Sequence, residues 1–216
     1  MKYKIIILII FIIFLLTCND NNNNAYQNNE NQNQIDVTQN SNQEDENQPD
    51  NNDIYDIDKE LLSAASKGEI EYLKQLLDLG ANVNYFENVY GFTSLMFAAA
   101  HGHIEIVKIL LVHGAHVDSK NLQSVTPLML ASRNGQLKIV KILIDNEANV
   151  EHQNIFGETT LMEAAKNGHS DIITYLIDIK AYINVKNGEG KTALLLAEEL
   201  GHSNAVEILK NAGALY

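Results

Sequence analysis

The sequence predicts an all-α solenoid of stacked helix-turn-helix units joined by β-hairpin-like loops, occupying residues 54–216. Three observations carry this. Glycine, threonine and asparagine recur at intervals of 33 residues. Each period holds an i, i+3, i+4 apolar stripe of the kind that one face of a helix buries. The first 53 residues show neither feature, so the repeating part starts after them.

The chain opens with an address. Lys2 and Lys4 precede twelve apolar residues, Ile5 to Leu16, the layout of a signal peptide over 1–17. A membrane-spanning helix needs about 20 apolar residues, so this run is too short to stay as an anchor. Leu15-Leu16-Thr17-Cys18 resembles the lipobox of bacterial lipoproteins, with Thr17 where Gly, Ala or Ser is usual, and it contains the chain's single cysteine. That resemblance implies lipidation of Cys18, which would become the mature N-terminus. Leu15 argues against an ordinary signal-peptidase cut, which wants small residues one and three positions before it. An unlipidated, secreted protein acting on the proteins of another cell is the alternative.

Residues 18–53 predict a disordered tether. Between Asn19 and Asp53, twenty of thirty-five residues are Asn or Gln, and only Ala25, Tyr26, Ile35 and Val37 are apolar. Too little apolar surface exists there to offset the entropy of ordering. The segment from 18 to 53 carries eight acidic residues and no basic one.

Within 54–216 each period reads as two helices. Gly102, Gly135, Gly168 and Gly201 are 33 apart, as are Thr93, Thr126, Thr159 and Thr192, and Asn88, Asn121, Asn154 and Asn187. Gly68 to Gly102 is 34, which places one extra residue in a loop between Asn84 and Thr93. Threonine opens the first helix as its cap, and Pro127 suits the first helical position, where no amide proton is needed. Small residues keep that helix thin, and glycine ends it. The second helix carries Val107, Leu110 and Leu111, matched by Val140, Leu143 and Ile144 and by Ile173, Leu176 and Ile177. One such unit cannot bury its stripe alone; stacked neighbours can. In the last copy Lys210 replaces the apolar Leu77, Leu111, Ile144 and Ile177, and Glu198 replaces Ala65, Ala99, Ser132 and Ala165, which predicts a polar end to the stack. Glu147 and Lys180 stand at the register position of Gly80, Gly114 and Gly213.

Gly157-Glu158-Thr159-Thr160-Leu161-Met162-Glu163-Ala164-Ala165-Lys166-Asn167-Gly168-His169 resembles the ankyrin repeat. The resemblance covers five copies, about 57–87, 88–120, 121–153, 154–186 and 187–216. The family's Thr-Pro-Leu-His is kept only as Thr126-Pro127-Leu128, with Met96, Met129, Met162 and Leu195 in the histidine position. It implies an ankyrin-repeat solenoid that binds proteins through its loop tips and the concave side of its first helices, with a left-handed backbone at the position of Glu147 and Lys180. Carried over copy by copy, those positions are Val89, Tyr90 and Phe92; Leu122, Gln123 and Val125; Ile155, Phe156 and Glu158; and Lys191. On the first helices they are His101, Arg133, Asn134, Lys166 and Asn167.

The residues offer little else chemically. Net charge is −13, −7 of it from residue 54 onward, and no basic cluster exists to displace counterions from phosphate. Nucleic acid is therefore not an expected partner. No nucleophile elbow, phosphate loop or zincin spacing occurs, and no cofactor is expected. His103, His169 and His202 share one slot of the repeat and are expected to be structural. His113 and His116, beside Asp118, could coordinate zinc but lack a third committed ligand, so a His-based metal-binding protein stands as a second, lesser alternative. Glu158, Glu163 and Asp171 are expected on solvated helix faces. The expectation is a non-catalytic, monomeric protein-binding scaffold, lipid-anchored in a bacterial cell envelope outside the cytoplasm.

Overall fold

Threonine side chains set where the first helices begin. In the computed structural model, which describes residues 52–215, Thr93, Thr126, Thr159 and Thr192 lie in extended backbone. Their Oγ1 atoms accept the backbone N–H of Met96, Met129, Met162 and Leu195. Such caps satisfy amides that the helix itself leaves open, each worth about 1 kcal/mol.

Ten helices follow among the described residues: α1 Asn52–Lys67, α2 Ile70–Asp78, α3 Ser94–His101, α4 Ile104–Val112, α5 Pro127–Arg133, α6 Leu137–Asp145, α7 Thr160–Lys166, α8 Ser170–Asp178, α9 Ala193–Glu199 and α10 Ser203–Asn211. They pair in sequence, α1 with α2 through α9 with α10, and each pair stacks on the next. The first helices (α1, α3, α5, α7, α9) pack in one row and the second helices in another. Ala64, Ala65, Ala98, Ala99, Ala131, Ala164, Ala165 and Ala197 are fully buried and let the first row approach closely. Leu73, Val107, Val140, Ile173 and their stripe partners Leu76, Leu110, Leu143 and Leu176 fill the space between rows. This is an all-α repeat solenoid. Among the described residues no strand forms, only an isolated bridge between Phe86 and Thr93.

Polar contacts pin each unit to its neighbour. His103, His169 and His202 donate from Nε2 to the carbonyl oxygens of Ser66, Arg133 and Lys166 at 2.9 Å, so this slot is structural as the periodicity implies. The ring lies over the preceding glycine: a Cβ on Gly68 or Gly135 would sit 2.7 Å from the imidazole of His103 or His169. A second column was not foreseen. Asn84, Asp118, Glu151 and Asn184 accept the backbone N–H of His116, Asn149, Tyr182 and Leu215 at 2.7–3.0 Å.

Two expectations are adjusted. Helix α1 begins at Asn52, inside the span read as tether, because composition marks where apolar residues begin and a helix can start before them. The signal segment, Cys18 and the remainder of the tether lie outside the described residues. Asn88 does not match Asn121, Asn154 and Asn187. Those three use Oδ1 to accept two loop amides each, whereas Glu87 does this in the first loop, with Oε2 to the N–H of Val89 and Oε1 to the N–H groups of Tyr90 and Phe92. The extra residue makes that loop longer, and a side chain one methylene longer spans it.

The end faces are polar. Lys210 pairs with Glu198 at 2.7 Å, so the two departures noted in the last copy neutralise each other. At the opposite face the Tyr72 hydroxyl donates to Glu60 at 3.4 Å.

Glu147 and Lys180 have φ of 67° and 69°, in register with Gly80, Gly114 and Gly213 at 85–90°. A left-handed non-glycine residue is strained by about 1–2 kcal/mol, offset by the about 0.5–1 kcal/mol of extra unfolded-chain entropy that glycine brings. Glu147→Gly should therefore raise the melting temperature by about 2–4 °C in a calorimetric scan; an unchanged or lower value would contradict the strain.

Candidate protein-binding edge

Between helix pairs the chain makes fingers, and hydrogen bonds fix their shape. Asn121 N–H donates to the Val125 carbonyl, Asn154 to Glu158 and Asn187 to Lys191, closing each loop on itself. Adjacent fingers are tied as well: Leu122, Ile155 and Gly188 donate their N–H to the carbonyls of Tyr90, Gln123 and Phe156 at 2.8–3.1 Å. The fingers come so close that a Cβ on Gly157 would lie 2.9 Å from the Gly188 nitrogen. In the third repeat Ser124, φ 59°, takes the left-handed position that Gly91, Gly157 and Gly190 hold elsewhere. His152 secures it by donating from Nε2 to the Ser124 carbonyl at 2.8 Å.

The expected binding residues divide into four groups. Val89, Tyr90, Leu122, Ile155 and Phe156 are exposed at the finger tips, from 38% for Phe156 to 71% for Leu122, with Gln123 partly covered beside them. Asn134 and Asn167 are exposed at the ends of α5 and α7. Arg133, Lys166, Lys191, Phe92 and His101 are partly buried and engaged with neighbours. Val125 and Glu158 are a correction: Val125 is 1% and Glu158 9% exposed, because the finger folds back before the capping threonine and turns these positions inward.

The carboxylates also behave differently from the solvated faces expected of them. Asp171 is exposed, but Glu163 is 1% exposed and bonds Arg133 through both oxygens, Oε2 to Nε at 3.0 Å and Oε1 to Nη2 at 2.8 Å. A buried carboxylate needs such a partner. Its column in the other copies is Ser63, Phe97, Leu130 and Leu196, so the one acid in a largely apolar column, opposite an arginine one repeat earlier, was the available signal. Glu158 pairs with Lys166 at 2.7 Å, and Lys191 with Glu199 at 2.6 Å and Glu189 at 3.2 Å. The Lys191 ammonium has a raised pKa because it donates hydrogen bonds to both acids.

On the finger side the second repeat carries stacked rings. Phe92 stacks on Phe97 at 5.3 Å, Phe97 on His101 at 6.3 Å and His101 on His103 at 6.0 Å. Neither Phe97 nor the exposed Phe86 was among the residues expected from sequence. His101 donates Nδ1–H to the Phe97 carbonyl at 2.9 Å. Burial lowers its pKa, as does the neighbouring His103, while the Phe97 carbonyl works the other way. Elsewhere, His113 bonds its own helix at the Ile109 carbonyl, and among the described residues no group of three or more His, Cys, Asp or Glu is placed to hold a metal. No helix among them is long and apolar enough to cross a membrane.

Paired helices, capped and stapled into a row with hydrogen-bonded fingers along one side, define a helical-repeat protein. The family profile described as Ankyrin repeats (3 copies) matches residues 25–121, 61–154 and 128–215, and the chain belongs to the ankyrin-repeat family. No curated protein matches the chain. Ankyrin repeats serve as protein-protein interaction scaffolds and are typically non-catalytic.

Arg133→Ala should cost about 3 kcal/mol in urea unfolding, because it strands the buried Glu163 carboxylate. Adding Glu163→Leu, the residue type of Leu130 and Leu196, should restore most of that loss; a double variant no better than the single one would contradict the pairing. The depressed pKa of His101 means the unfolded chain binds its proton more readily than the folded one. Its stabilising contribution is complete above the ordinary value of about 6.5 and is lost as pH falls through the lower folded value. Thermal melts between pH 7.5 and 5 should therefore fall more steeply for the parent than for His101→Gln, and parallel curves would contradict the assignment.

Proposed function

We propose that this protein is a membrane-tethered, non-catalytic scaffold that holds a protein partner along its fingers. The observation that supports this best is the row of exposed apolar side chains on a rigid backbone. A loop tip faces solvent by default, and scattered apolar residues there need no explanation, but a continuous row across neighbouring fingers marks an interaction surface. Tyrosine and phenylalanine are enriched in interface centres, and tips already fixed by hydrogen bonds lose little freedom on binding.

The tether and anchor complete the proposal. Signal peptide 1–17, a lipidated Cys18 and the Asn/Gln-rich segment up to α1 acting as a tether would keep the stack outside the cytoplasm of a bacterial cell, close to a membrane. Each buried methylene of an acyl chain contributes about 0.8 kcal/mol, so two or three chains hold stably where one holds marginally. A tether of this length has a root-mean-square reach of about 30–35 Å, which raises the local concentration of the stack near membrane-bound partners.

In pull-downs from the native envelope, the combined changes Tyr90→Ala, Phe92→Ala and Phe156→Ala should abolish partner capture while far-ultraviolet circular dichroism stays at the parental value. Undiminished capture would dispose of the finger reading. The full chain should enter the detergent phase on partitioning, and Cys18→Ser should move it to the aqueous phase. A parent that stays aqueous would favour the unlipidated, secreted form instead.

A further inference from the structure

We propose that the partner offers an uncharged segment of aliphatic and aromatic side chains that lies across three neighbouring fingers; this deepens the finger reading above and rests on it. The tips in question carry Val89, Tyr90, Leu122, Ile155 and Phe156. The next finger ends the row, since Gly188, Glu189 and Gly190 place no apolar side chain there.

Charge decides the chemistry. The basic side chains among the expected contacts are Arg133, Lys166 and Lys191, and each is bonded to a carboxylate of the chain itself at 2.6–2.8 Å. The acids of that side are committed in turn: Glu163 and Glu158 are buried in these pairs, and Glu87 accepts the amides of its own finger. At Arg133 or Lys166 a charged partner residue would have to break a pair and strand its buried carboxylate, at a cost comparable to a lost buried ion pair, while the more exposed Lys191–Glu199 pair belongs to the repeat whose finger carries no apolar tip. An apolar segment meets no such barrier. It removes exposed apolar surface from water, the one favourable contribution this row has left to offer.

The row is also preformed. Leu122 and Ile155 donate their N–H to the preceding finger, so the tips cannot splay to fit a different shape. Both features predict binding that depends on apolar complementarity and hardly on ionic strength.

The test uses the full chain, immobilised, as bait for a phage-displayed library of random peptides of about 16 residues, long enough for an extended segment to pass several fingers. Selected peptides should be rich in aromatic and aliphatic residues and poor in Lys, Arg, Asp and Glu. For an individual selected peptide, Kd should change by less than about twofold between 50 mM and 500 mM NaCl, since uncharged contacts are not screened. Leu122→Lys or Ile155→Lys, both at exposed tips and so expected to leave the melting temperature unchanged, should weaken it by about tenfold or more through loss of apolar burial. Selected peptides rich in charge, with affinity falling about tenfold over that salt range yet abolished by the triple finger change, would overturn the inference about partner chemistry and leave the finger reading standing. Peptides indifferent to the triple change, or a selection that yields no binder, would remove both.

Discussion

A pair of short helices has no interior of its own, and everything else in this chain follows from that constraint. Each unit's apolar stripe is buried against the units before and after it, so Val107 and Leu110 complete a core that Leu73 and Leu76 begin. Close approach is the condition. It requires alanine along the first row, glycine beneath the imidazoles of His103 and His169, and glycine where one finger passes the next. The histidine bonds and the Asn84, Asp118, Glu151 and Asn184 column then fix the register. Individually each such bond contributes about 0.5–1.5 kcal/mol, and the regular stack adds them.

The same constraint builds the edge. Because helix pairs are held in register, the fingers between them form a row, and their tips are set by backbone bonds and by the Glu87, Asn121, Asn154 and Asn187 side chains that accept the loop amides. Two kinds of surface result. The second repeat carries stacked rings, whereas the third to fifth carry ion pairs that cancel within the chain. Neither presents a field of one sign, which agrees with a domain whose recognition depends on shape and apolar contact.

Much of the stack was legible because periodicity exposes geometry. The capping threonines, the histidine slot, the left-handed Glu147 and Lys180 and the polar substitutions at Glu198 and Lys210 all follow from comparing one copy with another. Other features escaped because they depend on facing rather than on position. Val125 and Glu158 were placed at tips by simple transfer, yet the finger turns inward before its threonine and buries them. Glu163 was read as solvated because a carboxylate on a helix usually is; only the contact with Arg133, thirty residues earlier, explains its burial. Fixed spacing also misaligned Asn88, since a one-residue insertion moved the loop-closing role to Glu87, a different residue type. The proposed leader and lipid site rest on motifs, the charged start, the apolar run and Leu15-Leu16-Thr17-Cys18, and not on the stack.

Hydrogen-deuterium exchange of the full chain, with and without a captured partner or selected peptide, tests the central claim most directly. Grip along the edge predicts slowed exchange at finger amides in 88–92, 121–124 and 154–157, with the outer helices α4, α6 and α8 unchanged. Protection confined to those outer helices or to the end faces, with the fingers exchanging as before, would contradict it.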